Sequence, residues 1–192
     1  MQLSKVDYYA EIFVYPPLAV TLAVAAWCGP HSLFHLGWLA EILIGTVIWT
    51  LIEYFIHRVL LHSVPVLKRM HGMHHASPTA FVGTPVWTSL TGFAVGALLP
   101  LWWLAGLETA CCVTAGLMLG YVWYLLVHDA VHRWPLDKKS LYYAAKLRHM
   151  RHHFEGGDGN FGVTVAVWDR LFGTFVEPST LNRPWRGSQV RS

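Results

Sequence analysis

The sequence predicts an all-α integral membrane protein, with four transmembrane helices in two hairpins and a cytoplasmic helical cap rich in histidine. Three observations support this fold class. Four apolar runs each approach the roughly 20 residues needed to cross a bilayer core. Only 13% of the 192 residues are charged, whereas soluble domains carry about 25%. All 14 lysine and arginine residues lie before the first run, between the second and third, or after the fourth.

The four predicted spans pair into hairpins because the connections inside each pair are short. The first span runs from about Tyr9 to Cys28, and the second from about Leu36 to Ile56. The third runs from about Val86 to Leu104, and the fourth from about Thr109 to Val127. Short connections with glycine or proline favour helices that are neighbours in space.

The positive residues predict the orientation of the chain in the membrane. Neither hairpin turn contains lysine or arginine, and these residues mark the cytoplasmic side. We therefore expect both termini and the loop between the second and third spans to be cytoplasmic. Residues 1–178 are predicted to form a single membrane-embedded domain, and residues 179–192 a polar, flexible C-terminal tail.

Two further patterns concern helix packing. Gly92 and Gly96 in the third span, and Gly116 and Gly120 in the fourth, have the spacing that lets membrane helices approach closely. The alternative, that glycine is simply common in membrane helices, stays open. Beyond the fourth span, Lys138–His153 is predicted to form a basic amphipathic helix on the membrane surface.

Ten of the twelve histidines fall in four clusters on the predicted cytoplasmic side. Residues three and four apart share one face of a helix, so three of the clusters can each point their imidazoles in one direction. His57 and His62, five apart, need a helix end or a local bend to converge. Packing the hairpins side by side should bring all four clusters together just below the membrane surface. The ten are His57, His62, His71, His74, His75, His128, His132, His149, His152 and His153.

This number of imidazoles indicates two metal ions. Imidazole is the commonest metal ligand among side chains, and a structural zinc ion takes only about four ligands. His31 and His35 belong to the other side of the membrane and are predicted to be non-ligands. Asp129, Asp158 and Asp169 are candidates for carboxylates that support the ligands. Solvated or capping roles are the alternative for these three.

Five motifs carry a family resemblance. Four of them contain the histidines: EYFIHRVLLH at 53–62, HGMHH at 71–75, HDAVHR at 128–133 and HMRHH at 149–153. The fifth, NFGVTVAVWDRLFGT, occupies residues 160–174. Together they resemble the fatty acid hydroxylase/sterol desaturase superfamily, most closely its fatty acid 2-hydroxylase branch. The resemblance covers about two-thirds of the chain.

The resemblance implies that residues 1–178 form a hydroxylase domain in which two non-haem iron ions and dioxygen oxidise a lipid. Imidazole accepts zinc as well as iron, so zinc can occupy the site in purified protein. Relatives often carry a fused cytochrome b5 domain, which this sequence does not show. We therefore expect a separate electron-transfer protein of the cytochrome b5, ferredoxin or reductase type. The net charge of only +3 argues against nucleic acid as a partner.

The sequence leaves three alternatives to a fatty acyl hydroxylase. Carotenoid hydroxylases of the beta-carotene type have similar motifs, although their third motif usually has one more residue between its histidines. A lipid or sterol desaturase could use the same metal site. A histidine-rich metal transporter would place its ligands near the membrane midplane, whereas these clusters lie at the ends of the spans and beyond.

Overall fold

The structure is a computed structural model that describes residues 1–29 and 35–177, so the predicted tail and His31 lie outside the described residues. The described part is helical apart from its loops and a bridge between Gln2 and Val82. Two π-helical segments, Ile56–Leu61 and Ala94–Leu98, continue α2 and join α4 to α5. The helices are α1 Lys5–Trp27, α2 His35–Phe55, α3 Pro65–Ala76, α4 Val86–Phe93, α5 Leu99–Ala105, α6 Leu107–Arg133, α7 Tyr143–Phe154 and α8 Val167–Leu171.

The all-α membrane fold is confirmed. Among the described residues, four helical stretches have the length and composition of membrane spans: Lys5–Trp27, Gly37–Leu61, Val86–Ala105 and Leu107–Arg133. Large apolar side chains stand exposed on their outer surfaces. Such surfaces suit hydrocarbon rather than water, since soluble proteins rarely expose continuous apolar patches.

The second and fourth spans extend further than predicted on the side of the histidines. The fourth was expected to end near Val127, but α6 continues to Arg133. A polar side chain does not end a helix, because the backbone hydrogen bonds continue wherever the chain keeps helical geometry. The extension carries His128 and His132 on the same helix as the apolar span.

Helix α6 is the axis of the fold, because both α1 and α2 pack along it far more extensively than they pack on each other. Helix α1 runs antiparallel to α6, with Tyr9 bonded to Asp129 near one end and Tyr15 against Tyr121 further along. Helix α2 runs parallel to α6. The histidine ends of α2 and α6 therefore lie on the same side.

Glycines set the distance between α2 and α6. A methyl group added at Gly116 would overlap the carbonyl oxygen of Ile42, and one added at Gly45 would overlap that of Val113. At Gly120 a methyl group would overlap the side chain of Trp49. The packing role predicted for the glycines of the fourth span is therefore confirmed.

The packing role predicted for Gly92 and Gly96 is wrong. A methyl group added at either position would have no atom within 4 Å outside its own helix and chain neighbours. Both glycines instead line a cavity between α4 and the other spans. Spacing alone does not distinguish a glycine that receives another helix from one that leaves a space.

A helix is present where the basic amphipathic helix was predicted, but it is shorter than expected. It was expected to begin at Lys138, whereas α7 begins at Tyr143. Residues before it form turns, in which Asp137 accepts a hydrogen bond from the amide of Lys139 at 2.9 Å. An aspartate side chain that bonds the backbone two residues ahead favours a turn over a helix.

We predict that Gly116→Ala destabilises the protein, because its methyl group would push α2 away from α6. Overpacking of this kind costs about 1–3 kcal/mol. Gly37→Ala is the matched control, since Gly37 lies in α2 with open space around it. Thermal unfolding in detergent should show a lower midpoint for Gly116→Ala and an unchanged or higher one for Gly37→Ala. Equal midpoints for the two variants would contradict the packing role.

Candidate metal centre

The first histidine pair is joined by a π-helical segment, in which His57 lies and which His62 directly follows. His57 and His62 are five residues apart, a spacing that diverges on an α-helix but converges on a π-helix, whose hydrogen bonds join residues five apart. Residues Ile56–Leu61 have this geometry, and the two imidazole rings lie 5.5 Å apart between centroids. The local bend that the sequence required is this π-helical segment.

The other three clusters lie on regular helices, with spacings that place each set on one face. Helix α3 carries His71, His74 and His75, of which the first two are buried. Helix α6 contributes His128 and His132 from its last two turns. Helix α7 contributes the last three histidines, including the fully buried His149 and His152.

The structure brings all ten histidines together, in two adjoining groups. In each group, one nitrogen of every ring lies within 4.8 Å of a nitrogen of every other ring. His128 extends the second group, because its Nε2 lies 3.1 Å from Nε2 of His74. The groups meet where the rings of His75 and His153 stack at 4.1 Å. The first group is His57, His62, His71, His75 and His152; the second is His74, His132, His149 and His153.

Neighbouring histidines of one motif divide between the two groups. His74 belongs to the second group, whereas His71 and His75, one turn apart on α3, belong to the first. Helix α7 divides its histidines in the same way. Both helices therefore lie between the two groups and supply each of them.

Burial keeps these imidazoles neutral. Desolvation and then the charge of neighbouring histidines lower the pKa of His71 to about 2. Desolvation also lowers the pKa values of His74, His75 and His152 to about 4. A pKa lowered below 6.5 means that the ring carries no proton on its second nitrogen at neutral pH. Each neutral ring then offers one lone pair, which is the form that binds a metal.

Two of the rings have their orientation set by backbone carbonyls. His57 donates Nδ1–H to the carbonyl oxygen of Phe161 at 2.6 Å, and His152 donates Nδ1–H to that of Gly159 at 2.9 Å. A carbonyl oxygen can only accept, so Nδ1 carries the hydrogen and Nε2 carries the lone pair. Both lone pairs therefore face the interior of the first group.

The nitrogen atoms of the first group fit a cation. Nε2 of His62 and Nε2 of His152 are buried without a hydrogen-bond partner in the described part of the chain. A buried polar atom without a partner costs about 1–3 kcal/mol. Several converging lone pairs in one buried place are what a metal ion satisfies, so the first group fits an ion bound by imidazole. The second group offers a comparable set of imidazole nitrogen atoms.

Two buried carboxylates hold the loop that supplies these carbonyls. Asp169 accepts hydrogen bonds from the amides of Phe161 and Gly162, both at 2.8 Å. Glu53, on α2, accepts from the amides of Val163 at 2.7 Å and Thr164 at 3.0 Å. These four amides anchor residues 161–164 from both sides. We refer to residues 159–164, with Glu53 and Asp169, as the carboxylate clasp.

Asn160 completes the clasp. Its φ of 58° lies in the left-handed region, which asparagine tolerates better than most residues. Its side chain donates to the carbonyl of Val176 at 2.8 Å and accepts from the amide of Val176 at 3.0 Å. This pairing ties the segment after α8 to the loop that orients His57.

The three aspartates chosen from the sequence have different surroundings. Asp169 acts on His57 through the loop backbone, whereas Asp129 pairs with Arg133 at 2.7 Å and accepts from Tyr9 at 3.2 Å. Arg133 lies over the ring of Phe81, so this pair joins α1 and α6 to the loop after α3. Asp158 is exposed, and its charge partly opposes the lowering of the pKa of His62 by burial.

Glu53 was not selected as a site residue from the sequence, although a signal was present. It is an acid within an apolar span, four residues before His57. Ionisable residues in membrane spans are costly and are usually retained for a function. His35, which was predicted to be a non-ligand, begins α2 at the end away from the histidine groups.

An apolar cavity of about 480 Å³ leads from the histidines into the membrane-spanning part of the molecule. At one end it is lined by His57, His71, His74 and His128. Apolar side chains such as Trp49, Ile52, Phe93 and Leu117 line the deeper part. Tyr124 lines the wall between the two ends, whereas the exposed Trp87 and Trp134 do not line the cavity. The cavity has the size of a small-molecule site.

Known proteins are similar to this chain in sequence. The chain is 33% identical over 159 residues to the fatty acid 2-hydroxylase of Rattus norvegicus, covering 77% of this chain and 41% of the relative. It is 33% identical over 144 residues to the dihydroceramide fatty acyl 2-hydroxylase FAH2 of Arabidopsis thaliana, covering 68% and 58%. The chain thus spans about half the length of these relatives.

A solved structure and a family comparison agree with this similarity. The structure described as full length scs7p, with only its hydroxylase domain visible, matches with a TM-score of 0.78 at 26% identity. The match covers 90% of this chain and 67% of that one. The fatty acid hydroxylase family matches residues 42–174, which is more than half of the chain and includes every histidine of both groups. The chain therefore belongs to the fatty acid hydroxylase family.

Proposed function

We propose that this protein hydroxylates the acyl chain of a membrane lipid, with two iron ions bound by the ten histidines, dioxygen and electrons from a separate protein. One observation carries the proposal: the apolar cavity that enters the membrane-spanning region begins at the buried histidines. An unactivated acyl chain in this cavity would lie beside the metal ligands. The names of the relatives, which are hydroxylases of fatty acids and of fatty acyl chains in ceramides, support the same chemistry.

We propose that each histidine group holds one ion, with His128 completing the second. Ten neutral imidazoles suit iron and zinc alike, and iron is the ion whose redox chemistry the reaction needs. Bound there, the two irons would supply the activation of dioxygen and the removal of hydrogen from a C–H bond. The chain's own contribution is to place donors, orient the substrate and exclude water.

The surrounding residues support these roles. The carboxylate clasp fixes the rings of His57 and His152 so that their Nε2 lone pairs face inward. The aromatic and aliphatic walls of the cavity exclude water from the acyl chain. Trp49, Ile52, Phe93 and Leu117 are among these wall residues.

We propose that the termini and the histidine groups face the cytoplasm. The lysines and arginines lie on the histidine side of the four spans, as the positive-inside rule requires of a cytoplasmic side. A cytoplasmic electron carrier could then reach the metal ligands without crossing the membrane.

The basic residues of α7 and the turn before it are the proposed docking surface for that carrier, with anionic lipid headgroups as the alternative. The surroundings of these basic residues show which of them are free to contact a partner. Lys146 donates to the carbonyl of Trp134 at 2.9 Å, Arg151 pairs with Glu155 at 3.4 Å, and Arg148 is partly buried. The exposed Lys138 and Lys139 are left as the strongest candidates.

Expression in a bacterial host tests the reaction. We expect one lipid class to gain one oxygen when the intact chain is expressed, and to lose this product with the double variant His74→Ala, His75→Ala. That variant removes one donor from each histidine group. Mass spectrometry of lipid extracts measures the change, and fragmentation locates the hydroxyl on an acyl chain, a headgroup or an isoprenoid.

The same extracts separate the alternatives. Loss of two hydrogens would assign the protein to the desaturases, and oxygen on a carotenoid in a carotenoid-producing host would assign it to the carotenoid hydroxylases. Metal accumulation in cells without any lipid change would support the transporter. No oxidised lipid from folded, iron-loaded protein supplied with a reductant and diverse acyl lipids would contradict the proposal.

Metal analysis tests the division into two groups. His62→Ala with His152→Ala removes two donors from the first group, and His132→Ala with His153→Ala removes two from the second. We expect each double variant to retain about half the metal of the intact chain, measured by elemental analysis of purified protein. His35→Ala should retain all of it. Loss of all metal in both variants would indicate one shared site instead.

We predict that Asp169→Ala weakens metal binding although Asp169 touches no metal ligand, because the freed loop no longer orients His57. Loss of a partner that orients a ligand typically costs about 10–100-fold in metal affinity. Competition with a chelator measures the affinity, and Asp137→Ala, which removes an exposed acid from the turn before α7, is the matched control. Equal affinities for the two variants would mean that the clasp does not support the site.

A further inference from the structure

A buried polar cluster lies in the cavity beyond the histidines. Glu11, only 6% exposed, accepts a hydrogen bond from Tyr121 at 2.6 Å and another from Ser89. Tyr15, fully buried, donates to Ser89 at 2.7 Å. Glu11, Ser89 and Tyr121 all line the cavity. We refer to these four residues as the Glu11 cluster.

The separation between the Glu11 cluster and the histidines follows from their positions on α6. Tyr121 precedes His128 by seven residues on α6, which corresponds to about 10 Å along the helix. The cavity continues past the cluster to Leu117, a further turn along α6 from the histidines. An acyl chain that runs from the histidines into the membrane would therefore pass directly beside Glu11.

The surroundings of Glu11 leave part of its hydrogen-bonding capacity unused. A carboxylate has about four acceptor positions, and the described residues fill two of those on Glu11. Glu53 differs, because three donors of the carboxylate clasp surround it. Ionisable groups within the membrane are costly and mark functional sites by default. Glu11 lines the cavity in the part beyond the histidines, where most of the other lining side chains are apolar.

We propose that the Glu11 cluster binds a hydroxyl group on the acyl chain of the substrate, at a mid-chain position remote from the carbon that is oxidised. A hydroxyl donates its hydrogen to a free acceptor position of the carboxylate, since Ser89 and Tyr121 each fill one position with their single hydroxyl hydrogen. An ammonium group fits less well, because its desolvation in this cavity would be offset by a single carboxylate already shared between two donors. The preferred substrate is thus an acyl chain that already carries a hydroxyl.

This inference deepens the proposed function and rests on it for the assignment of the cavity to an acyl chain. The competing explanation is that the cluster only tethers α1 to α4 and α6. The two explanations differ in a binding measurement. A tether affects stability alone, whereas a binding site distinguishes one acyl chain from another.

Lipid retention by the full-length protein in detergent tests the inference. The probes are stearic acid and a set of its monohydroxy derivatives, each with the hydroxyl at a different carbon. Samples are kept without oxygen and reductant so that no probe is consumed, and retained probe is measured by mass spectrometry. We expect one mid-chain derivative to be retained about tenfold better than stearic acid, the value of one hydrogen bond to a charged group.

Two variants complete the design. Glu11→Gln keeps the shape of the side chain but replaces one acceptor by a donor, so the preference should fall to near unity. Glu41→Gln is the matched control, since Glu41 is also a carboxylate within a span, bonded to Thr109 at 3.0 Å, and does not line the cavity. It should retain the preference of the intact chain.

Equal retention of all probes by the intact chain would overturn the inference, as would a preference that survives Glu11→Gln while the unfolding midpoint falls. The proposed function fails separately. Selective retention without any oxidised product from iron-loaded, reduced protein would support the binding site and contradict the proposed hydroxylase function. Oxidised product without any preference among the probes would support the hydroxylase function and contradict the binding site.

Discussion

The organisation of the candidate metal centre depends on two hydrogen bonds from imidazole to backbone carbonyl, and on the carboxylates that hold those carbonyls in place. His57 and His152 come from different parts of the chain, yet both donate to the loop at residues 159–164. Glu53 binds that loop from the membrane-spanning α2, and Asp169 binds it from α8. The clasp therefore connects the last part of the described chain to the membrane domain at the point where the imidazoles converge.

Helix packing determines where the clasp and the histidines meet. Gly45 and Gly116 bring α2 into close contact with α6, so Glu53 and His57 on one helix approach His128 and His132 on the other. The third span does not pack in this way, because Gly92 and Gly96 face open space and line the cavity instead. Close packing on one side of α6 and a cavity on the other place the histidine groups beside an open space in the membrane-spanning region, which the proposed function assigns to an acyl chain.

The two buried carboxylates Glu53 and Glu11 differ in the same way, because one belongs to the packed framework and the other lines the cavity. Glu53 satisfies backbone amides and so has a structural role beside the histidines, whereas Glu11 lines the cavity and accepts only two hydrogen bonds from the described residues. Both carry the cost of burying an ionisable group away from water. In the proposed function, the first would lower the freedom of the metal ligands, and the second would distinguish between substrates. The two carboxylates would thus divide the tasks of holding the metal ions and selecting the acyl chain that reaches them.

The sequence by itself determined the membrane fold class, the four spans and the ten histidines that converge, because hydropathy and spacing on a single helix are local properties. It also indicated close packing at Gly116 and Gly120. Only the tertiary structure decided that His74 belongs to a different group from His71 and His75. Residues on one helix face share a direction, but the atoms they meet depend on the neighbouring helices. The tertiary structure also decided the role of Glu53, because the amides that it binds lie more than a hundred residues away in the chain. It likewise decided that Gly92 has open space beside it, because no other helix packs against that position.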